Sequence, residues 1–449
     1  MNRNGSILVS LLWIVAILSL VVVGVLHAAN LDLRVTKNNG DSIQAYYLAL
    51  AGVEKAKAVI FHDAKERRES GVNHNGTIFD SPSDFQDVDF SRGRFRVGDA
   101  GDNGNEDTMV YGVIDEERFI NFNTADQEQL RRLPGIDENI IAALMDYRDN
   151  DQNVSPGGAE LEDYAALQPP YIPHDAPFRT LRELLLVRGM PKDLLLGEDV
   201  NANGWLDPEE NDGDLFEPND NQDGKLDRGW LKNATVWSAV SNVDAKGEPR
   251  VNIKEAAEEK LAEVDGISTE LAKQIVEYRN SQQLNSLGDL LQVKAIQRDS
   301  SSSSSRSSSR SSGGGTPTGA NLIDQELFRQ IADHLTVNEN SMIPGAINVN
   351  TASEEVLMSL PGIEPELATA IVNRRTANGF FQGVGDLFDV EGMTESVFKQ
   401  IVDRITTRSE TFRIFSEGRI ASTGARRRLQ VVIRVSDYSV ETLAYREDL

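Results

Sequence analysis

Cysteine is absent from all 449 residues. No disulfide, thiolate zinc site or cysteine nucleophile is therefore available. Histidine is scarce: His27, His62, His74, His174 and His334 lie far apart, and neither a His-x-x-x-His pair nor a Gly-x-Ser-x-Gly elbow occurs. Without a nucleophile–base or metal-ligating constellation the chain reads as a non-enzyme. Acid pairs such as Asp115-Glu116 and Glu209-Glu210 read as solvated turns or metal ligands rather than general acids. Basic residues are outnumbered, 45 Lys and Arg against 71 Asp and Glu, giving a net charge of −26 and a pI near 4.6. Such a surface repels nucleic-acid phosphates and anionic headgroups and suits cations. The length allows two or three domains with a sizeable core.

What is present begins at the amino end. Met1-Asn2-Arg3-Asn4-Gly5 is followed by residues 6–30 without Asp, Glu, Lys or Arg. The apolar run of residues 7–29 is 23 long, enough to cross a bilayer at roughly 20 residues per span. No A-x-A-like site follows it, unlike a secretory leader. The helical pattern continues through Ile43, Ala45, Leu48, Ala49, Gly52, Val53, Ala56 and Val59, mostly at spacings of three and four. One helix is expected from residue 6 to about 62. The short basic leader, the Gly5-Ser6 junction and the long helix resemble a type IV pilin-like leader. That resemblance implies cutting after Gly5 by a prepilin peptidase and methylation of the new terminus at Ser6. Most such proteins carry Glu as the fifth mature residue; this chain has Ser10.

An internal repeat is the second signal. Ile120-Asn121-Phe122-Asn123-Thr124-Ala125 recurs as Ile347-Asn348-Val349-Asn350-Thr351-Ala352, and more weakly as Val251-Asn252-Ile253-Lys254-Glu255-Ala256. Thirteen residues after each start stand Leu133-Pro134-Gly135-Ile136, Leu360-Pro361-Gly362-Ile363 and Val264-Asp265-Gly266-Ile267. Thirteen residues past each glycine stands Arg148, Arg375 or Arg279. The pattern reads as helix, tight glycine turn, helix, with Thr124 or Thr351 capping the first helix. Ile140, Ala143, Leu144 and Tyr147 share a face of the second. These units resemble helix-hairpin-helix motifs, whose usual task is gripping DNA phosphates. Here the tips read Gly-Ile-Asp-Glu, Gly-Ile-Ser-Thr and Gly-Ile-Glu-Pro, carrying carboxylates where DNA-binding hairpins carry a second glycine and basic residues. A structural scaffold without nucleic-acid binding is the reading.

Two acidic loops form the third signal. Residues 199–210 match D-x-[DN]-x-[DN]-G-x5-E in full. The pattern assigns calcium to Asp199, Asn201, Asn203, the Trp205 carbonyl, Asp207 and a bidentate Glu210, with Gly204 at the turn and Leu206 anchoring the loop. A second candidate comprises Asn219, Asn221, Asp223, the Lys225 carbonyl and Asp227; its twelfth position is Trp230 rather than Glu. Pro208 and Pro218 interrupt helical flanks, so these read as stapled loops within an insertion.

The organisation expected is a leader over residues 1–5, a transmembrane part over 6–29 and a continuation of the helix over 30–62. A first core part follows at 63–118, with strand runs at 94–97 and 110–114. A helical insertion fills 119–408, including a Ser/Gly-rich flexible segment at 299–319 and a helix through Ile323, Leu327, Ile331 and Leu335. Core strands return at 409–449, with runs at 411–415 and 429–435 and turn or strand edge across 418–428. The fold class is α+β: a long N-terminal membrane helix and a pilin-like core with a small antiparallel sheet, split by a large helical insertion carrying hairpin repeats.

Several features together resemble the type II secretion minor pseudopilin K family. They are the leader, Ser10, the Asn-x-Asn-Thr-Ala and Leu-Pro-Gly-Ile segments, Leu181-Arg182-Glu183-Leu184 before Val187-Arg188-Gly189, and the acidic loops. The resemblance implies a single-pass inner-membrane subunit with a periplasmic domain, processed by prepilin peptidase. It would assemble with minor pseudopilins I and J at the pseudopilus tip. Two rival readings stand beside it. A membrane-anchored hairpin protein for DNA uptake would be favoured by basic tips. A calcium-dependent adhesin would be favoured by exposed aromatics near the loops, such as Trp205 and Trp230.

Overall fold

The computed structural model describes residues 4–73, 76–101, 104–211, 213, 220–297, 316–436 and 439–447. Asn219 and most of the Ser/Gly-rich segment fall outside them. Helix α1 runs from Asn4 to Ser70, 67 residues, or about 100 Å at 1.5 Å per residue. Residues 8–40 are exposed along their whole length. Within them lies a stretch long and apolar enough to cross a membrane. Gly5 and Ser6 lie in the first helical turn, and Ser10 is exposed.

The second half of α1 is buried through Ala45, Leu48, Ala49, Val53, Ala56 and Ile60. Two residues depart from the expected face. Ile43 is exposed because it lies two positions, about 200°, from Ala45. Ile60, not the half-buried Val59, completes the stripe. The helix also continues past residue 62. Arg67 extends it by bonding Asp63 at 2.8 Å and reaching the carbonyls of Asn73 and Ser409 at 3.0 and 3.4 Å.

A six-stranded antiparallel sheet packs on this half of α1. Its strands are β1 (Val88–Phe90), β2 (Gly93–Val97), β3 (Ile114–Asp115), β4 (Thr411–Ile420), β5 (Ala425–Ser436) and β6 (Ser439–Arg446). The order is β1-β2-β4-β5-β6, with β3 beside the start of β4. Phe412, Ile414, Leu429, Val431 and Ile433 face α1, while Phe415 packs with Ile114 and Phe119 on the other side. Two glycines allow helix and strand to close up. A Cβ at Gly418 would lie 2.0 Å from the Ala45 carbonyl oxygen, and one at Gly52 2.2 Å from Ser416 Oγ. Ser416 Oγ in turn donates to the Ala49 carbonyl at 2.7 Å.

The strands differ from expectation in two places. Residues 418–428 are a continuous hairpin paired from Thr411↔Arg434 to Ile420↔Ala425, because β4 is covered on both faces nearly to its end. Residues 110–113 are not a strand. Ser81 and Val113 donate to the carbonyls of Tyr111 and Ile78 at 2.7 and 3.1 Å, which leaves only the Asp99–Val110 bridge and β3.

Residues 116–410 emerge between β3 and β4 and carry their own core, from Ile120 to Ile405, separate from the core beneath α1. This insertion is not helical throughout. It consists of short α- and 3-10 helices closed by two-residue parallel strand pairs. The helix expected through Leu335 spans only Gln325–Ile331, and Leu335 sits in a strand.

Candidate functional sites: hairpin units and acidic loops

The insertion is three copies of one unit. Each opens with a two-residue strand paired in parallel with a closing strand that ends in threonine. The pairs are Ile120–Asn121 with Ala234–Thr235, Val251–Asn252 with Leu335–Thr336, and Ile347–Asn348 with Ile405–Thr406. Between them run a short helix, a glycine turn, a longer helix, a 3-10 turn and a last helix. Gly135, Gly266 and Gly362 take φ of 76°, 93° and 77°, which L side chains resist. A second glycine turn, Gly189 (φ 82°) or Gly392 (φ 88°), occurs in the first and third units.

The repeated arginine has one structural task. Arg148 donates to the carbonyls of Phe122 and Ala125, Arg279 to those of Ile253 and Ala256, and Arg375 to those of Val349 and Ala352. Burial lowers Arg148 and Arg375 to about 10 each. The second asparagine of the motif is equally specific. Asn123 bonds Phe178 and Val236, and Asn350 bonds Phe381 and Thr407, tying the unit's start to its far loops. Lys254 stands at that position in the second unit, which explains its weaker match. The caps differ from expectation: Asp126 and Ser353 cap the first helices. Thr124 bonds the Asn121 carbonyl and Thr351 bonds Asp115.

Two of the three hairpin tips are capped by their own side chains. Asp137 Oδ1 accepts from Asn139 and Ile140 N–H at 2.8 and 2.9 Å. Ser268 Oγ accepts from Leu271 N–H, and Pro365 has no N–H to offer. At the first two tips the amides a phosphate would use are thus bonded internally, and at the third one is missing.

The Asp115-Glu116-Glu117 run is not a solvated turn. All three are at most 1% exposed and join three parts of the fold. Glu116 pairs with Arg413 of β4 at 2.6 Å and accepts from Thr235 of the first unit. Asp115 accepts from Asn348 and Thr351 of the third. Glu117 accepts from the amides of Ala239, Glu410 and Thr411. Burial, then the neighbouring Asp115 charge, raises Glu117 well above the ordinary carboxylate range.

In the loop of residues 199–210, Asp199, Asn203, Trp205 and Glu210 are buried. Asp199 accepts from the amides of Asn203 and Gly204 at 2.9 Å each, and Gly204 takes φ 75°. Asp207 accepts from the side-chain amides of Asn201 and Asn203, and Glu210 from the backbone amides of Asn201 and Asp207. Burial lifts Glu210 to about 7. Asn201 Oδ1 is buried without a partner, an oxygen that a hard cation would satisfy. The buried anchor is Trp205; Leu206 is only half-buried. In the second candidate loop Asn221, Asp223, Lys225 and Asp227 are exposed. Asn221, Asp223 and Asp227 each accept a backbone N–H two residues on.

A third acidic site has no counterpart in the motif reading. Ligand oxygens of Asp149, Asp151 and Glu160 lie within 4.8 Å of one another, an approach that Asp199, Asp207 and Glu210 do not make. Glu160 is 3% exposed with neither carboxylate oxygen hydrogen-bonded. Burial, then Asp146, Asp175, Asp149 and Asp151, raise it to about 7. Gly158 is required here, since a Cβ would lie 1.9 Å from Asp146 Oδ2. Asp149, Asp151, Asn153, Ser155 and Glu160 occupy positions one, three, five, seven and twelve of a calcium loop. Val154 stands where the pattern demands glycine, so a strict motif search passes over it.

The three units align with three segments matched by family models. Residues 121–196 match "Type II secretion system (T2SS), protein K", and residues 246–301 and 345–406 match "Helix-hairpin-helix motif". Type II secretion system protein K of Pseudomonas aeruginosa is 26% identical over 196 residues, covering 42% of this chain and 58% of that protein. The human endonuclease/exonuclease/phosphatase family domain-containing protein 1 is 27% identical over 175 residues, 38% of this chain but only 31% of that protein. ComE operon protein 1 of Bacillus subtilis is 39% identical over 62 residues, 14% of this chain and 30% of that protein. The solved GspK–GspI–GspJ complex from the enterotoxigenic Escherichia coli type 2 secretion system matches over 92% of this chain and 99% of that one. The TM-score is 0.45 and the identity 12%.

Proposed function

We propose that this chain, which belongs to the type II secretion system protein K family and is a minor pseudopilin, occupies the tip of the pseudopilus. There it assembles with minor pseudopilins I and J and primes or caps the fibre during export across the outer membrane. The observation that carries this reading is the insertion of residues 116–410 between β3 and β4 of a core built on a long apolar helix. A body of that size on one end of a subunit suits a terminal position, because it obstructs stacking of a further subunit above. Ser10 agrees: a terminal subunit has no amine above it that needs a buried carboxylate, which would be costly at that depth. The exposed residues 8–40 would lie against lipid and partner helices. The chain would be single-pass in the inner membrane through residues 6–29, with residues 30–449 in the periplasm.

Calcium is the ion the acidic loops suit, since both offer several hard oxygens at alternating positions. Asp149, Asp151 and Glu160 would hold one ion. Asp199, Asn201, Asn203, the Trp205 carbonyl, Asp207 and Glu210 would hold another. A bound ion supplies a fixed charge that offsets their mutual repulsion. The hairpins act as scaffold rather than as a nucleic-acid grip, a reading supported by the Asp137 cap and the acidic tips. The adhesin alternative loses its support with Trp205 and Trp230, each 5% exposed.

The absence of cysteine makes one test direct. A single cysteine placed by Val15→Cys or Val22→Cys should form disulfides with cysteines in the N-terminal helices of minor pseudopilins I and J in intact cells. Failure to cross-link to either would reject the tip assignment.

A further inference from the structure

Two hairpin turns of the sheet lie at the end of the domain where α1 enters it. Strand β4 runs against α1: Ser409, just before it, lies beside Arg67, Ser416 lies beside Ala49, and the β4–β5 turn lies beside Asp41. Thr423 of that turn donates to the buried Asp41 at 2.9 Å, and Arg427 Nε donates to Ser42 Oγ at 2.9 Å. The β1–β2 turn stands next to it, since Arg94 pairs with Arg419 and Gly93 with Phe90.

Charge changes sign at this end. The whole chain holds 45 Lys and Arg against 71 Asp and Glu. Residues 30–46, 89–94 and 417–428 together hold eight basic residues and four acidic ones. Three of those acids are engaged within the fold: Asp41 by Thr423, Asp89 by Arg94 at 2.6 Å, and Glu417 by Arg96, Arg419 and Arg428 together. Glu447, on the β6 side, accepts from Tyr46. Arg34, Lys37, Arg92 and Arg427 are exposed, and their side chains pair with no carboxylate among the described residues. Phe90, in the same turn as Arg92, is 57% exposed.

The helix fixes what this surface faces. Asp41 follows Ala29 by twelve residues, about 18 Å of helix at 1.5 Å per residue. The headgroup layer beyond the hydrocarbon is roughly 5–8 Å deep. The two turns therefore stand above the headgroups by little more than a Debye length, ~8 Å at physiological salt. Arg34 and Lys37 lie in the interval between. Basic surface at that height is drawn to anionic lipid and repelled by none of it.

We propose that the β1–β2 and β4–β5 turns, with Arg34 and Lys37, form a docking surface for anionic phospholipid headgroups that holds the sheet against the bilayer. The proposal rests on the reading of residues 6–29 as a membrane span. It adds a contact between the folded domain and the lipid, which a span alone does not require.

The test uses the full-length chain in vesicles. Because the chain lacks cysteine, Ser422→Cys takes a single fluorophore in the β4–β5 turn. The vesicles contain phosphatidylcholine alone or two parts to one of phosphatidylglycerol, each with the same share of a headgroup-nitroxide lipid as quencher. Quenching should be about threefold stronger with phosphatidylglycerol and should fall to the phosphatidylcholine level in 1 M salt, where the Debye length is ~3 Å. Arg92→Gln with Arg427→Gln, both at exposed positions, should lose most of the difference, and Arg34→Gln with Lys37→Gln part of it. Equal quenching in the two lipids would overturn the docking surface while leaving the span intact. A difference that persists in the Arg92 and Arg427 double variant, or in 1 M salt, would overturn it as well. Release of the chain from both kinds of vesicle by an alkaline wash would take down the span, and the docking surface with it.

Discussion

Arg375 Nη1 donates to the Val349 carbonyl at 2.7 Å, and the other terminal nitrogen of the same guanidinium reaches the Ala352 carbonyl at 2.8 Å. The same pair of bonds from Arg148 and Arg279 closes the other two hairpin units. One arginine thus joins the end of the second helix to the loop before the first. Arg375→Met leaves two acceptors on buried residues without a donor, and should destabilise the protein by about 3 kcal/mol. Arg375→Lys should recover little, because a single ammonium does not reproduce the planar fork. Urea unfolding followed by circular dichroism measures both.

This repeat was legible from the sequence because its glycine, arginine and Asn-x-Asn positions recur at fixed short spacings. The closing threonines were not. Thr235, Thr336 and Thr406 pair with residues 58 to 114 positions away, and those distances differ in each unit because loops of different length intervene. Buried acids were misread for a related reason. Asp115, Glu116 and Glu117 look like a surface turn until β4 and two hairpin units close around them. The Asp149–Glu160 site was hidden by a single residue, Val154. The long helix and the sheet after residue 410 were readable, since runs of apolar or alternating residues identify them locally.

Glu117 gives the junction a pH dependence of definite sign. Its folded value lies above the ordinary 4.5, so the folded state binds the proton more tightly than the unfolded chain. Stability from this group is complete below about pH 4.5 and is lost as pH rises through the folded value. Glu117→Gln should remove this part of the slope. The check is the unfolding midpoint of wild type and variant across the acid-to-neutral range; identical slopes would reject the assignment.

Calcium should bind at two independent places. Calorimetry on the wild type should give two equivalents, reduced to one by Glu160→Gln and to one by Glu210→Gln. Asp227→Ala should change nothing, since the Asp227 side chain is exposed and serves a local turn. At a hundredfold excess over its dissociation constant each ion should stabilise the fold by about 2.7 kcal/mol. Retention of both equivalents in Glu160→Gln would exclude the Asp149–Asp151–Glu160 site.

Processing should remove residues 1–5. Mass spectrometry of the mature protein should find Ser6 at the amino terminus, methylated, and Gly5→Val should leave the precursor uncut. An intact Met1 terminus in membranes, or a cut beyond Ala29, would contradict the pilin-like leader.

The tip assignment is tested most directly by purifying the chain from cells that also produce minor pseudopilins I and J. The account predicts one complex containing the three proteins in equal amounts, stable through gel filtration and lost when the chain is omitted. Recovery of I and J as a pair, with this chain eluting alone, would contradict it.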